Sequence, residues 1–150
     1  MRITTWAEYG VICAVHLARR ANEGLVSGRE IAEREQLPPD YAEQILLRLR
    51  RAGIVTSSRG SRGGYALARP ASEITLREIL AASELVTFSL RCDAHPVSAA
   101  RCGMSRDCSI RPVWQMLQQR IDEVLEGVHL ADLLEEERFV RQRVGLPVLH

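Results

Sequence analysis

The chain has 150 residues, 46% hydrophobic and 26% charged, with a net charge of +1, a balance that suits one globular domain with an appended element. No apolar run approaches the roughly 20 residues needed to cross a bilayer, and the opening Met1-Arg2-Ile3-Thr4-Thr5 carries no secretory signal, so a cytoplasmic protein without a membrane partner is expected. The charge is uneven: residues 1–70 hold 11 Arg against 7 acidic side chains, residues 71–150 hold 9 against 12, and there is no Lys at all.

Ser/Thr-x-x-Glu recurs at Thr5/Glu8, Ser27/Glu30 and Thr75/Glu78. That is the spacing at which a hydroxyl and a glutamate can cap a helix reciprocally. A first helix is predicted over about residues 6–21, with Tyr9, Cys13 and Leu17 inward and Val11 and Val15 one turn-phase over. A short second helix over 28–35 is followed by Gln36-Leu37-Pro38-Pro39, a turn in which Pro39 suits the first helical position. The third helix, 40–52, turns Ile45, Leu46 and Leu49 inward and stops at Gly53. Two helices joined by a tight turn make a helix-turn-helix.

Ile54 to Ser58 and Tyr65 to Ala68 read as two strands around the tip Arg59-Gly60-Ser61-Arg62-Gly63-Gly64, a β-hairpin placed where a wing would be. The Thr75 box opens a helix ending near residue 85, and residues 87–108 show no usable period. From Ser109 a longer helix is predicted, with Ile110, Val113, Trp114, Leu117, Ile121, Val124, Leu125 and Val128 at three- and four-residue steps and Pro112 tolerated in its first turn. So bulky a stripe on an appendage predicts packing against the same helix of a second subunit, since symmetric DNA readers are usually twofold dimers. Residues 138–150 have no pattern and are expected to fray.

The third helix carries Tyr41, Glu43, Gln44, Arg48 and Arg51 around its polar surface. Glu accepts from cytosine, Gln bridges adenine, and Tyr or Arg holds phosphate. Arg59 and Arg62 flank the wing tip, where glycine lets backbone approach a narrow groove. Any one of these residues alone would be an ordinary solvated side chain. Helix-turn-helix, basic helix and Arg/Gly wing in one window together imply double-stranded DNA, and a dimer would meet a pseudo-palindromic operator with half-sites ~34 Å apart.

Cys92, Cys102 and Cys108 lie in the aperiodic stretch. Their spacing is not the paired Cys-x-x-Cys of a zinc ribbon, and in a reducing compartment thiols hold metals more often than they form disulfides. Widely spaced thiolates can wrap an iron–sulfur cluster, with one place left for His95, Asp93, water or a residue from elsewhere. Zinc on Cys92, His95, Cys102 and Cys108, a thiol redox switch and three free thiols remain as alternatives. Cys13, mid-helix on an apolar face, reads as a small buried hydrophobe. No Cys-x-x-Cys, nucleophile–base pair or phosphate loop supports an enzyme.

Several runs resemble the IscR/NsrR family of winged-helix, iron–sulfur-dependent transcription regulators. They are Met1 to Thr5, Ile31-Ala32-Glu33-Arg34, Tyr41-x-Glu43-Gln44-Ile45-Leu46-x-x-Leu49-Arg50-x-Ala52-Gly53-Ile54-Val55, Arg59-Gly60-x-Arg62-Gly63-Gly64-Tyr65-x-Leu67-Ala68 and Ile74-Thr75-Leu76-x-Glu78-Ile79. The resemblance covers about residues 1–130 and implies a homodimer built on the long C-terminal helix, with a cluster near that interface. It maps Cys92, Cys102 and Cys108 onto the family's three cluster cysteines, although the first gap is longer here than usual. Members similar to IscR place a His three residues after the last Cys, where this chain has Arg111. Members similar to NsrR take an acid near the start of helix one from the partner, and Glu8 stands there. The His that some two-iron members add four residues later is Ile12.

The resulting expectation is a mainly α fold with a small β-hairpin wing. A winged helix-turn-helix domain spans 1–85, a cysteine loop 86–108, a dimerisation helix region 109–134 and a C-terminal tail 135–150. The expected activity is that of a dimeric cytoplasmic repressor whose cluster, 4Fe–4S favoured over 2Fe–2S, senses redox state, nitric oxide or iron.

Overall fold

The computed structural model describes residues 4–60, 63–84 and 108–147. Six α-helices and one two-stranded antiparallel sheet are found among these residues: α1 Thr5–Arg19, α2 Gly28–Arg34, α3 Pro39–Arg51, β1 Val55–Ser58, β2 Gly64–Leu67, α4 Leu76–Ser83, α5 Arg111–Gly127 and α6 Glu137–Arg143. The mainly helical fold with its hairpin wing is the expected one.

The capping signals resolve unequally. α4 opens with the full reciprocal box: Glu78 N–H donates to Thr75 Oγ1 at 3.2 Å and Thr75 N–H donates to the Glu78 carboxylate at 2.8 Å. Ser27 caps α2 through Glu30 N–H at 3.1 Å, but the Glu30 carboxylate takes Arg20 at 2.9 Å instead of reaching back. The expected Thr5/Glu8 box does not form. The residue before it, Thr4, takes the cap position and accepts from Ala7 N–H at 3.4 Å, which leaves Thr5 inside the helix.

Between α2 and α3 the chain turns through Gln36, whose φ of 55° is left-handed, while Leu37 N–H donates back to the Ala32 carbonyl at 2.9 Å. Pro39 begins α3, and its missing N–H falls where the helix has no acceptor for it. At the other end Gly53 adopts φ 73° and Ile54 N–H returns to the Leu49 carbonyl at 3.0 Å, the glycine-based stop expected there.

The core forms where α1, α3 and α4 meet. Cys13 and Leu17 of α1 pack with Ile45, Leu46 and Leu49 of α3 and Ile79 of α4, all essentially inaccessible to solvent. α1 and α4 approach so closely that a Cβ on Gly10 would overlap the Ser83 side chain. The wing leans on the helices through Val26, which exchanges backbone hydrogen bonds of 2.9 and 2.8 Å with Tyr65 of β2.

α5 differs from the other long helices because none of its residues is buried. Its C-terminal end is clipped to the domain: Leu76 N–H donates to the Val128 carbonyl and Leu130 N–H to the Ile74 carbonyl, both at 2.8 Å. Arg77 of α4 adds ion pairs to Asp122 at 3.2 Å and Glu126 at 2.7 Å. The expected fraying of residues 138–150 is corrected in part. α6 forms, with Arg143 paired to the buried Asp132 at 3.1 Å and Arg141 to Glu137 at 2.7 Å. No described helix is long and apolar enough to cross a membrane.

Candidate nucleic-acid interface and cysteine ligands

α3 buries Ala42, Ile45, Leu46 and Leu49, and this fixes where its polar residues point. Helical periodicity sorts the candidates into three stripes. Gln44 and Arg51, two turns apart, lie on the outermost surface and are exposed. Glu43 and Arg50 lie on the edge toward the wing. Tyr41 and Arg48 lie on the edge toward α1.

The wing-side edge is held by a hydrogen bond. Tyr65 Oη of β2 donates to Glu43 Oε2 at 2.9 Å, and burial together with this contact pushes the Tyr65 phenol above its ordinary pKa. The other Glu43 oxygen lies over Gly28 at the head of α2, so close that a Cβ there would collide with it. Glu43 therefore fixes α3 against both α2 and the wing while remaining exposed. Arg50, which the reading of single DNA contacts left out, is an exposed cation on this same edge. Its signal was present in the sequence as a basic residue two turns from Glu43 on the same helical stripe.

The α1-side edge is an aromatic cluster. Tyr41 stacks on Trp6 with ring centroids 4.8 Å apart and meets Tyr9 edge-on at 6.1 Å. The Arg48 guanidinium sits 4.1 Å above the Trp6 ring and donates to the Ser83 carbonyl at 2.6 Å. Tyr41 keeps 41% of its surface in solvent. Arg48 is half-buried, with its guanidinium taken up by Trp6 and the Ser83 carbonyl. Tyr41, Glu43, Gln44 and Arg51 are thus exposed on one helix, while Arg48, on the same edge as Tyr41, is half-buried. Arg59 is exposed at the start of the wing tip, and Arg62 lies outside the described residues.

Of the cysteines, Cys92 and Cys102 lie outside the described residues, as do Asp93 and His95. Cys108 stands half-buried just before α5, where the backbone amides of Arg111 and Ile110 donate to its sulfur and hold the thiol below its ordinary pKa. A thiol whose pKa is lowered in this way gives up its proton to a metal more readily. Glu8 is exposed in the first turn of α1, and its side chain forms no hydrogen bond or ion pair among the described residues. The displaced cap is the reason, because with Thr4 in the capping position the Glu8 carboxylate has no backbone amide to serve. Cys13 is fully buried, and desolvation, reinforced by the nearby Glu35 charge, pushes its thiol up to about 12. It is the inert core residue expected. Among the described residues no three His, Cys, Asp or Glu side chains gather into a metal site.

A recognition helix edged by Tyr41 and Glu43, with an Arg-bearing wing beside it, defines a winged helix-turn-helix DNA-binding protein. Residues 3–136 match the Rrf2 family, described as an iron-dependent transcriptional regulator, and the chain belongs to that family. It is 32% identical to the HTH-type transcriptional regulator IscR of Serratia proteamaculans over 137 residues, which cover 91% of this chain and 81% of that relative. The solved structure of T. potens IscR superposes with a TM-score of 0.67 at 35% identity, covering 89% of this chain and 86% of that one. CymR, the global cysteine regulator of B. subtilis, gives a TM-score of 0.69 at 30% identity over 89% and 96% of the two chains. The protein is a transcription regulator and not an enzyme.

Proposed function

We propose that this regulator is a cytoplasmic homodimer whose grip on a pseudo-palindromic operator is set by an iron–sulfur cluster on Cys92, Cys102 and Cys108, completed by Glu8 of the partner subunit. The observation that carries this reading is the pair of prepared donors. Cys108 stands at the head of α5, where two backbone amides hold its thiol below the ordinary pKa, and Glu8 is an exposed carboxylate with no capping role. A sulfur-rich set with one carboxylate suits iron–sulfur chemistry, which thiolates dominate. With Ile12 where some two-iron members of the family have a histidine, 4Fe–4S is favoured over 2Fe–2S. When bound, the group would supply a redox- and nitric oxide-sensitive centre, and it would change operator affinity only as far as it favours one arrangement of the reading heads over another.

The chain's own residues do the reading. Gln44 and Arg51 face the groove, Tyr41 and Glu43 flank them, and Arg59 and Arg62 of the wing hold phosphate. A second reading, a thiol- or metabolite-responsive regulator without iron, takes its support from the similarity to the cysteine regulator CymR. Protein purified without oxygen should be brown and contain iron and sulfide, and Cys102→Ala should lose the colour. Zinc alone, or no metal with undiminished operator binding, would replace the cluster reading by the second. Glu8→Ala should leave the melting temperature unchanged while the visible spectrum shifts or bleaches faster in air. A lower melting point with an unaltered spectrum would remove Glu8 from the ligand set.

A further inference from the structure

Arg48 was expected among the phosphate contacts of the recognition helix, yet its guanidinium is committed on both sides. One face covers the Trp6 ring at 4.1 Å, and Nη1 donates at 2.6 Å to the carbonyl of Ser83, the last residue of α4. Three elements meet there: the first turn of α1, which also carries Glu8; the recognition helix α3; and the C-terminal end of α4, beyond which residues 85–107 lead to Cys92 and Cys102. A planar guanidinium can stack and donate at the same time, which an ammonium cannot do as well. The Ser83 end of α4 is itself held rigidly, because Ser83 Oγ donates to the Ile79 carbonyl at 2.7 Å and its side chain fills the space that Gly10 leaves open.

We infer that Arg48 is a positioning residue that couples the two proposed ligand-bearing segments to the recognition helix, and that it does not contact DNA. The inference rests on the cluster reading given above and deepens it by naming how the site is coupled to operator affinity. Beside the core packing that the three helices share, the Arg48 guanidinium joins the end of α4 and the first turn of α1 directly to α3. Tyr41, stacked on the same Trp6, turns with it toward or away from the DNA-facing surface.

Two measurements separate this role from a phosphate contact. In metal-free protein, Arg48→Met should leave unchanged the slope of log affinity against log salt, whereas loss of a phosphate contact lowers that slope by about one. The ratio of operator affinities of iron-loaded and metal-free protein, expected to be at least about fivefold in the wild type, should fall to near one in Arg48→Met. Trp6→Leu removes the other half of the contact and should give the same collapse, with no further loss in the double variant. This second variant keeps the test decisive if Arg48→Met does not fold. A slope reduced by one overturns the inference in favour of direct DNA contact. A wild-type ratio that both variants retain overturns the coupling alone, while a wild-type ratio of one overturns the cluster reading and the coupling with it.

Discussion

Cys13 illustrates how burial alone decides the fate of a thiol. It sits in the core with nothing to ligate, and exclusion of water raises its pKa to about 12, with the Glu35 charge adding to the same direction. Because the folded-state value lies above the unfolded one, the native state holds this proton more tightly. The associated stability is present in full below the ordinary thiol pKa and is lost as pH climbs from there toward 12. Relative to Cys13→Ala, the wild type should lose about 2 kcal/mol of unfolding free energy between about pH 8 and about pH 10.5, read from urea titrations at each pH. Parallel pH profiles for the two proteins would show that Cys13 ionises freely in the fold. The core role of Cys13 was legible in the sequence because it needs only helical phase and an apolar neighbourhood. The role of Arg48 was not. Helical phase shows that it lies near the polar surface, but the ring and the carbonyl that hold it come from residues 42 positions earlier and 35 later in the chain. Cys108 lies between these cases: the sequence marks it as a candidate ligand, while the two amides that lower its pKa become visible only once α5 has a defined start.

At the scale of elements, caps explain both the successes and the failures of prediction. Thr75 and Glu78 form the only complete reciprocal box with a Thr or Ser cap among the described helices, and the carboxylate is held below its ordinary pKa chiefly by the Thr75 amide. Thr75→Ala should destabilise the protein by about 1 kcal/mol, measurable as a fall in thermal midpoint. It should also reduce the hydrogen-exchange protection of α4 more than that of α3. Equal loss across both helices would mean that α4 is held by its packing and not by its cap. The same local chemistry misled at α1, where Thr4 and Thr5 are adjacent hydroxyls and backbone geometry chooses the first. Sequence pattern cannot separate two caps one residue apart. The short α6 escaped notice for a different reason: its anchor is tertiary, the Arg143 pair with the buried Asp132, and no periodic apolar face announces it. The three-helix core and the wing, by contrast, were legible because each carries its own punctuation in Pro39, Gly53 and the Arg/Gly tip.

At the scale of the whole molecule, the basic N-terminal part folds into the reading head, and the more acidic remainder contributes a long helix with an apolar surface that its own domain leaves exposed. Val113 and Val124 keep 55% of their surface and Trp114 keeps 41%, although α5 is firmly clipped at its far end by the Val128 and Leu130 backbone contacts and by Arg77. An arm that is rigidly attached and apolar along its free surface is suited to a second copy of itself, and twofold pairing would set the spacing of two recognition helices. Because Trp114 belongs to no core among the described residues, Trp114→Glu should leave each reading head folded and act on the proposed assembly. With the proposed α5 dimer in the wild type, sedimentation of the variant should give the 16.8 kDa of a single chain in place of twice that mass. Affinity for a full palindrome should fall by at least about a hundredfold, toward that for a half-site, because two linked contacts have become separate ones. A dimer that survives both Trp114→Glu and Val124→Glu would move the interface off α5, and with it the site from which the partner's Glu8 could reach the cysteines.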